Sequence, residues 1–210
     1  KWPQWVIDRR DYSIESLKAL LQDSKALNIL HNAKFDYQIL KHHEDITLES
    51  VWDTMIGEQI LYTGIDQPKG FYTLEQTHER YFNTNPYGNQ GSLFDPYIPK
   101  KTRNEISKKT TEPLTLGDIY YGSMDLITAF KIYERQKQVL HENQLLQTAK
   151  LENEFVLVLG DMELNGMPID AVEWLRLSEW STTRLKEQEA ILQKLYPTIA
   201  NWNSHVQVKK

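Results

Sequence analysis

The sequence predicts an α/β fold that continues into a helical part, and three observations support this. Short apolar runs bounded by polar residues, typical of buried strands, occur at residues 5–8 and 26–30. Amphipathic helical patterns follow each of these runs, as in folds built from alternating strands and helices. From residue 151 onward the pattern is helical alone.

The first half places an acid at the end of a predicted strand. Residues 13–23 predict a helix because apolar side chains recur there at helical spacing. A buried strand is predicted at 26–30 and a helix at 33–43, so Asp36 lies just past the strand's end. Open α/β sheets carry their sites at the carboxyl ends of strands. Asp36 is therefore a candidate site residue.

Several helices are predicted after residue 51. Residues 52–64 predict a helix closed by Gly64, and residues 73–82 predict another. A long helix is expected at 115–140, with a core stripe formed by Leu126, Phe130 and Tyr133. Glycine and proline interrupt the helical pattern at 165–170, before a last amphipathic helix at 172–196.

Residues 83–112 form a long connection without periodicity, which is uncommon in a compact domain and favours a functional loop. Its segment KKTRNEISKK, residues 100–109, contains five basic residues and one acid. Such a run is consistent with a solvated loop or with contacts to phosphates. On the second interpretation Lys100, Lys101 and Arg103 bind nucleic acid.

Composition excludes several classes of protein. The absence of cysteine excludes disulfides, thiolate metal sites and cysteine nucleophiles. The formal net charge of −5 argues against a general basic coat, but a nucleic-acid enzyme can combine acidic metal ligands with local basic charge. No apolar run of about 18 residues and no signal-peptide pattern is found, so we expect an intracellular, soluble protein without a membrane partner.

Two acids on distant helices predict a metal site. Tyr121 and Asp125 are four residues apart and share a helix face, and Asn32 and Asp36 repeat the spacing. Either pair alone is more often structural, but both acids adjoin apolar stripes. Carboxylate oxygens suit Mg²⁺, and two such ions about 3.5–4 Å apart can promote phosphodiester cleavage. A neighbouring phenol can orient the attacking water.

The motifs HNAKFD (31–36) and YYGSMD (120–125) resemble the second and third motifs of the 3′–5′ proofreading exonuclease domain of family A DNA polymerases. The resemblance continues in WDTMIGEQIL (52–61), YTLEQTHERYF (72–82) and the helix around the third motif. ENEFVLVLGDMELNGMPID (152–170) resembles the base of the polymerase thumb. The similarity covers nearly the whole chain in the family's order.

This resemblance implies a ribonuclease H-like mixed sheet flanked by helices, followed by a helical thumb fragment. The exonuclease domain is expected at 1–147 and the start of the polymerase domain at 148–210. Two Mg²⁺ or Mn²⁺ ions are implied, with Asp125 binding the ion that serves the attacking water and Asp36 serving the second ion. Tyr121 would hold that water and Asn32 would contact the substrate or support the structure. Asp53 is interpreted as a helix cap or structural acid.

The first motif of the family, Asp-x-Glu on the opening strand, does not occur before His31. The segment DME, Asp161 to Glu163, has this spacing but follows the third motif, so we reject it as catalytic. The chain is therefore expected to be an internal part of a larger polymerase, in bacterial cytoplasm or a phage-infected cell. With two of the family's four acids, we expect it to be nearly inert alone.

The leading hypothesis is a proofreading exonuclease that acts on single-stranded 3′ ends of primer–template DNA, together with the rest of its polymerase chain. One alternative is a non-catalytic exonuclease-like domain that acts as a scaffold or binds single strands. Another is a free-standing processing ribonuclease, against which the thumb-like segment argues.

Overall fold

The structure is a computed structural model that describes residues 4–88 and 111–209. The chain divides into two compact units, Lys1–Asn165 and Gly166–Lys210. The first unit thus extends beyond the sequence-based boundary after residue 147 and includes the whole helix Leu146–Asn165, which that boundary would divide. No helix in the described ranges is long and apolar enough to span a membrane.

The first unit combines a short parallel sheet with helices. Strands β1 and β2 pair in parallel with Asn28 opposite Val51 and Leu30 opposite Asp53, so their carboxyl ends meet at one edge. Helices dominate the described residues, and the two-stranded parallel sheet is compatible with the predicted α/β class. In chain order the elements are α1 Glu15–Leu21, β1 Asn28–Leu30, α2 Ala33–Glu44, β2 Val51–Asp53, α3 Thr54–Leu61, α4 Leu74–Phe82, α5 Leu116–Glu142 and α6 Leu146–Asn165.

Two sequence-based assignments were wrong. The apolar run at residues 5–8 has no regular secondary structure, and Trp5 is 77% exposed. Residues 51–53 form β2, although most of this stretch was assigned to the helix at 52–64. The strand consists of three buried residues paired with β1, and the helix begins only after Asp53.

The core has two hydrophobic clusters. One joins α2 to β2 and α6, and its centre includes Tyr37, Leu48 and Val156. Gly160 allows α6 to approach α2 closely, since a Cβ atom there would lie 2.7 Å from Cδ1 of Tyr37. The second cluster includes Trp52, whose ring meets that of Tyr133 on α5 edge-on at 5.3 Å. Strand β2 therefore packs against α6 in the first cluster and against α5 in the second.

Helix α5 buries the apolar stripe that the sequence predicted only in part: Tyr133 packs against the second cluster, whereas the other two members are exposed. Leu126 is 53% exposed and Phe130 is 40% exposed. The buried face instead includes polar side chains, because α5 contributes to hydrogen bonds inside the unit. The Gln136 amide donates to the Thr54 carbonyl at 2.7 Å and to Glu58 at 3.0 Å.

The second unit contains α7, Ala171–Leu195, and a short helix α8, His205–Val208. The Asp170 side chain caps α7 by accepting from the Glu173 backbone N–H at 3.0 Å. Trp174, Leu175 and Leu177 on α7 are 47–64% exposed, far more than the core residues of the first unit.

Candidate functional site

Asp53 organises the edge where both strands end. It is 1% exposed, and its Oδ1 accepts from the backbone N–H groups of Asn32 at 2.9 Å and Met55 at 2.8 Å. Its Oδ2 accepts from the Ala33 N–H at 2.8 Å. Asp53 therefore caps α3 and also binds the start of α2, using N–H groups that a helix itself leaves unsatisfied. The interpretation of Asp53 as a structural cap is confirmed.

The turn from β1 into α2 adopts an unusual backbone conformation. Asn32 is an exposed residue with φ 68° and ψ 51°, a left-handed conformation that asparagine adopts more readily than most residues other than glycine. The Asp53 carboxylate fixes this turn through the Asn32 N–H. His31 is held beside it by a 2.9 Å contact between its Nδ1 and the Thr54 hydroxyl. The turn is thus rigidly held, with the Asn32 side chain on the surface.

Asp36 lies in the first turn of α2 and is partly buried. Burial raises the pKa of its carboxyl to about 6, and the nearby negative charge of Asp53 acts in the same direction. A cation placed beside Asp36 would favour the ionised form and offset both effects. Asp36 is therefore a candidate metal ligand.

Tyr121 and Asp125 meet a third residue, Tyr87, which follows α4. The Tyr87 phenol donates a hydrogen bond to Oδ1 of Asp125 at 2.6 Å, and its ring lies 5.3 Å from that of Tyr121. Tyr87 is 3% exposed. Sequence reasoning missed Tyr87, because it lies in the aperiodic connection and only its position in an Asn–Pro–Tyr turn after a helix distinguishes it.

The DME segment has a structural role. Asp161 accepts from the Tyr37 phenol at 2.6 Å and from Lys41 at 2.5 Å, and the Lys41 bond is the main reason why the pKa of Asp161 is lowered. Glu163 pairs with Lys34 at 2.7 Å. Both acids of DME thus bind α6 to α2, in agreement with their rejection as catalytic residues.

The described part of the chain contains no group of three or more histidine, aspartate or glutamate side chains placed to bind a metal. Two acids, Asp36 and Asp125, were predicted from this sequence, and the environment of Asp36 fits a cation. That the carboxylates of Asp36 and Asp125 lie close together remains a prediction. The candidate DNA-binding residues Lys100, Lys101 and Arg103 lie outside the described residues.

Residues 4–141 match a protein family described as 3′–5′ exonuclease, a type of domain found in family A DNA polymerases. The matched region includes Asp36, Tyr121 and Asp125 and covers well over half of the chain. The chain belongs to this exonuclease family. The resemblance noted from the sequence motifs is thereby confirmed.

The chain is also similar to DNA polymerase I of Rhizobium leguminosarum, with 28% identity over 177 residues. This similarity covers 82% of the chain but 16% of that relative. The chain thus spans a small part of the length of the curated relative that it matches.

Proposed function

We propose that this chain is the proofreading part of a DNA polymerase I-like protein, and that it removes 3′-terminal nucleotides from single-stranded DNA with two divalent cations. The observation that carries the proposal is Asp36, a partly buried acid with a raised pKa at the carboxyl edge of the sheet in a chain of the exonuclease family. Without a cation such an acid costs stability. With Mg²⁺ or Mn²⁺ the same environment becomes a binding site.

Asp36 and Asp125 would hold the two ions, with their carboxylates under about 8 Å apart as two-metal geometry requires. When bound, the ions supply positive charge that stabilises the attacking and leaving oxygens of the phosphodiester. Tyr121 orients the attacking water through its phenol. The exposed Asn32 side chain, on a turn fixed by Asp53, contacts the DNA strand.

The proposal also includes the wider setting. The described strands would belong to a ribonuclease H-like mixed sheet, and residues 148–210 would include the start of the polymerase thumb. Lys100, Lys101 and Arg103 would contact phosphates of the single strand. The remaining polymerase chain and primer–template DNA would be the partners.

The test uses the full-length protein and a single-stranded oligonucleotide labelled at its 5′ end. We expect Mg²⁺-dependent shortening from the 3′ end that stops with chelator. Asp125→Ala should abolish digestion but leave polymerisation intact, and Tyr121→Phe should slow digestion by about 10-fold or more, as for a missing water-positioning group. Asp23→Asn, a change at an exposed turn, is the control. Digestion at the full rate by Asp125→Ala would refute the assignment.

Comparing the digestion rates of the 210-residue chain and the full-length protein tests how much of the site this chain contains. The 210-residue chain alone should digest the oligonucleotide far more slowly than the full-length protein, because only two of the four implied acids have been identified in it. Equal rates would show that Asp161, Glu163 or another acid completes the site.

A non-catalytic role, as a polymerase scaffold or single-strand-binding domain, is the second candidate. One observation favours it: among the described residues, no group of three or more histidine, aspartate or glutamate side chains is placed to bind a metal. This role predicts oligonucleotide binding by the full-length protein without shortening, and binding that does not change with chelator.

A further inference from the structure

We infer that Tyr87 is a positioning residue that fixes the direction of the Asp125 carboxylate for metal binding. The inference rests on the proposed function of Asp125. Its basis is the 2.6 Å hydrogen bond from the Tyr87 phenol to Oδ1 of Asp125, made by a side chain that is 3% exposed. A hydrogen bond to a carboxylate in such a setting is short and strong, so it holds the acceptor in one orientation.

Tyr87 is itself held in place from α4. Its backbone N–H donates to Oδ1 of Asn85 at 2.9 Å. The Asn85 amide in turn donates to Glu75 and Glu79, which both lie on α4, at 2.8 Å each. A continuous set of hydrogen bonds therefore runs from α4 through Asn85 and Tyr87 to Asp125 on α5.

The ring of Tyr87 also contacts Tyr121, the second proposed site residue on α5. It lies 5.3 Å from the Tyr121 ring at an interplanar angle of 39°, within the range of favourable aromatic contacts. One side chain thus contacts both the proposed metal ligand and the proposed water-orienting phenol. The phenol oxygen and the ring can be tested separately, because Tyr87→Phe removes the oxygen and keeps the ring.

The experiment measures Mn²⁺ binding to the full-length protein by electron paramagnetic resonance, together with the Mn²⁺ concentration that gives half-maximal digestion. Removal of a side chain that orients a metal ligand typically weakens metal binding by 10–100-fold. We expect Tyr87→Phe to raise the Mn²⁺ Kd and the half-saturating concentration by about 10-fold, and Asn85→Ala to shift both in the same direction.

Tyr37→Phe is the matched control, because the Tyr37 phenol also donates to a carboxylate, that of Asp161, at 2.6 Å. It should leave the Mn²⁺ Kd unchanged. A lower thermal stability of Tyr87→Phe with the wild-type Mn²⁺ Kd would overturn the inference, as would tighter Mn²⁺ binding. If the wild-type protein binds Mn²⁺ but digests nothing, the proposed function fails, and the change in Kd still decides the role of Tyr87.

Discussion

Replacing Asp53 by asparagine tests how the strand edge is built. The amide oxygen can keep the bonds from the Asn32 and Met55 N–H groups, but the amide NH₂ would then face the N–H of Ala33, which is fully buried. The bond from the Ala33 N–H is lost, and this donor stays buried without the charged acceptor. The bonds from the other two N–H groups remain, but their acceptor is now a neutral amide oxygen. Bonds to charged groups contribute about 1.5–3 kcal/mol each, so the expected decrease in the free energy of unfolding is about 2–4 kcal/mol.

Thermal and urea unfolding of the chain measure this decrease. For a domain of this size each kcal/mol shifts the Tm by about 2–4 °C, so Asp53→Asn should lower it by roughly 5–15 °C. Asp23→Asn is the matched control, because Asp23 accepts one backbone N–H, from Lys25, at an exposed turn; it should change stability by less than about 0.5 kcal/mol. A decrease below about 1 kcal/mol for Asp53→Asn would refute the reasoning.

Three further predictions follow from the described contacts and the charge pattern. In chelator at about pH 8, Asp36→Asn should stabilise the chain by about 1–2 kcal/mol. The folded-state pKa of about 6 lies above the ordinary 3.8, a shift that corresponds to about 3 kcal/mol and that the partial solvent exposure of Asp36 reduces. The stability of the wild-type chain therefore falls as pH rises through this range, and the gain should vanish near pH 4. Equal unfolding midpoints of the two proteins at about pH 8 would contradict this. Gly160→Ala should destabilise the first unit by about 1–3 kcal/mol, because the new Cβ would lie 2.7 Å from the Tyr37 ring; an unchanged denaturation curve would show that α2 and α6 separate easily. Alanine at all three basic residues proposed to bind DNA should weaken single-strand binding by the full-length protein and reduce the salt slope by about 0.7 for each phosphate that is no longer neutralised, and an unaltered slope would indicate a solvated loop.

The sequence predicts the position of most helices of this chain well, because apolar side chains recur there at helical spacing. Helix α4, Leu74–Phe82, lies within the range predicted from the residues alone. The strand Val51–Asp53 was missed because three residues are too few to show a period, and it exists only through pairing with β1. Propensity alone does not reveal such a tertiary contact.

The candidate site was predicted unevenly for a similar reason. Asp36, Tyr121 and Asp125 stand in recognisable motifs, whereas Tyr87 reaches Asp125 across 38 residues from an aperiodic turn. The buried face of α5 was misassigned because Gln136 is buried for its hydrogen bonds, and a hydrophobic pattern does not show them. Local pattern identifies helices and candidate site residues, while hydrogen bonds between distant elements require the structure.

The central claim is that Asp36 and Asp125 share one two-metal site. A crystal structure of the full-length protein soaked in Mn²⁺, with anomalous scattering recorded at the manganese edge, tests it most directly. We expect manganese peaks beside both carboxylates, which should lie under about 8 Å apart, with ions about 3.5–4 Å from each other. Carboxylates about 15 Å apart, beyond the reach of a shared two-ion site, or manganese at neither acid, would contradict the claim.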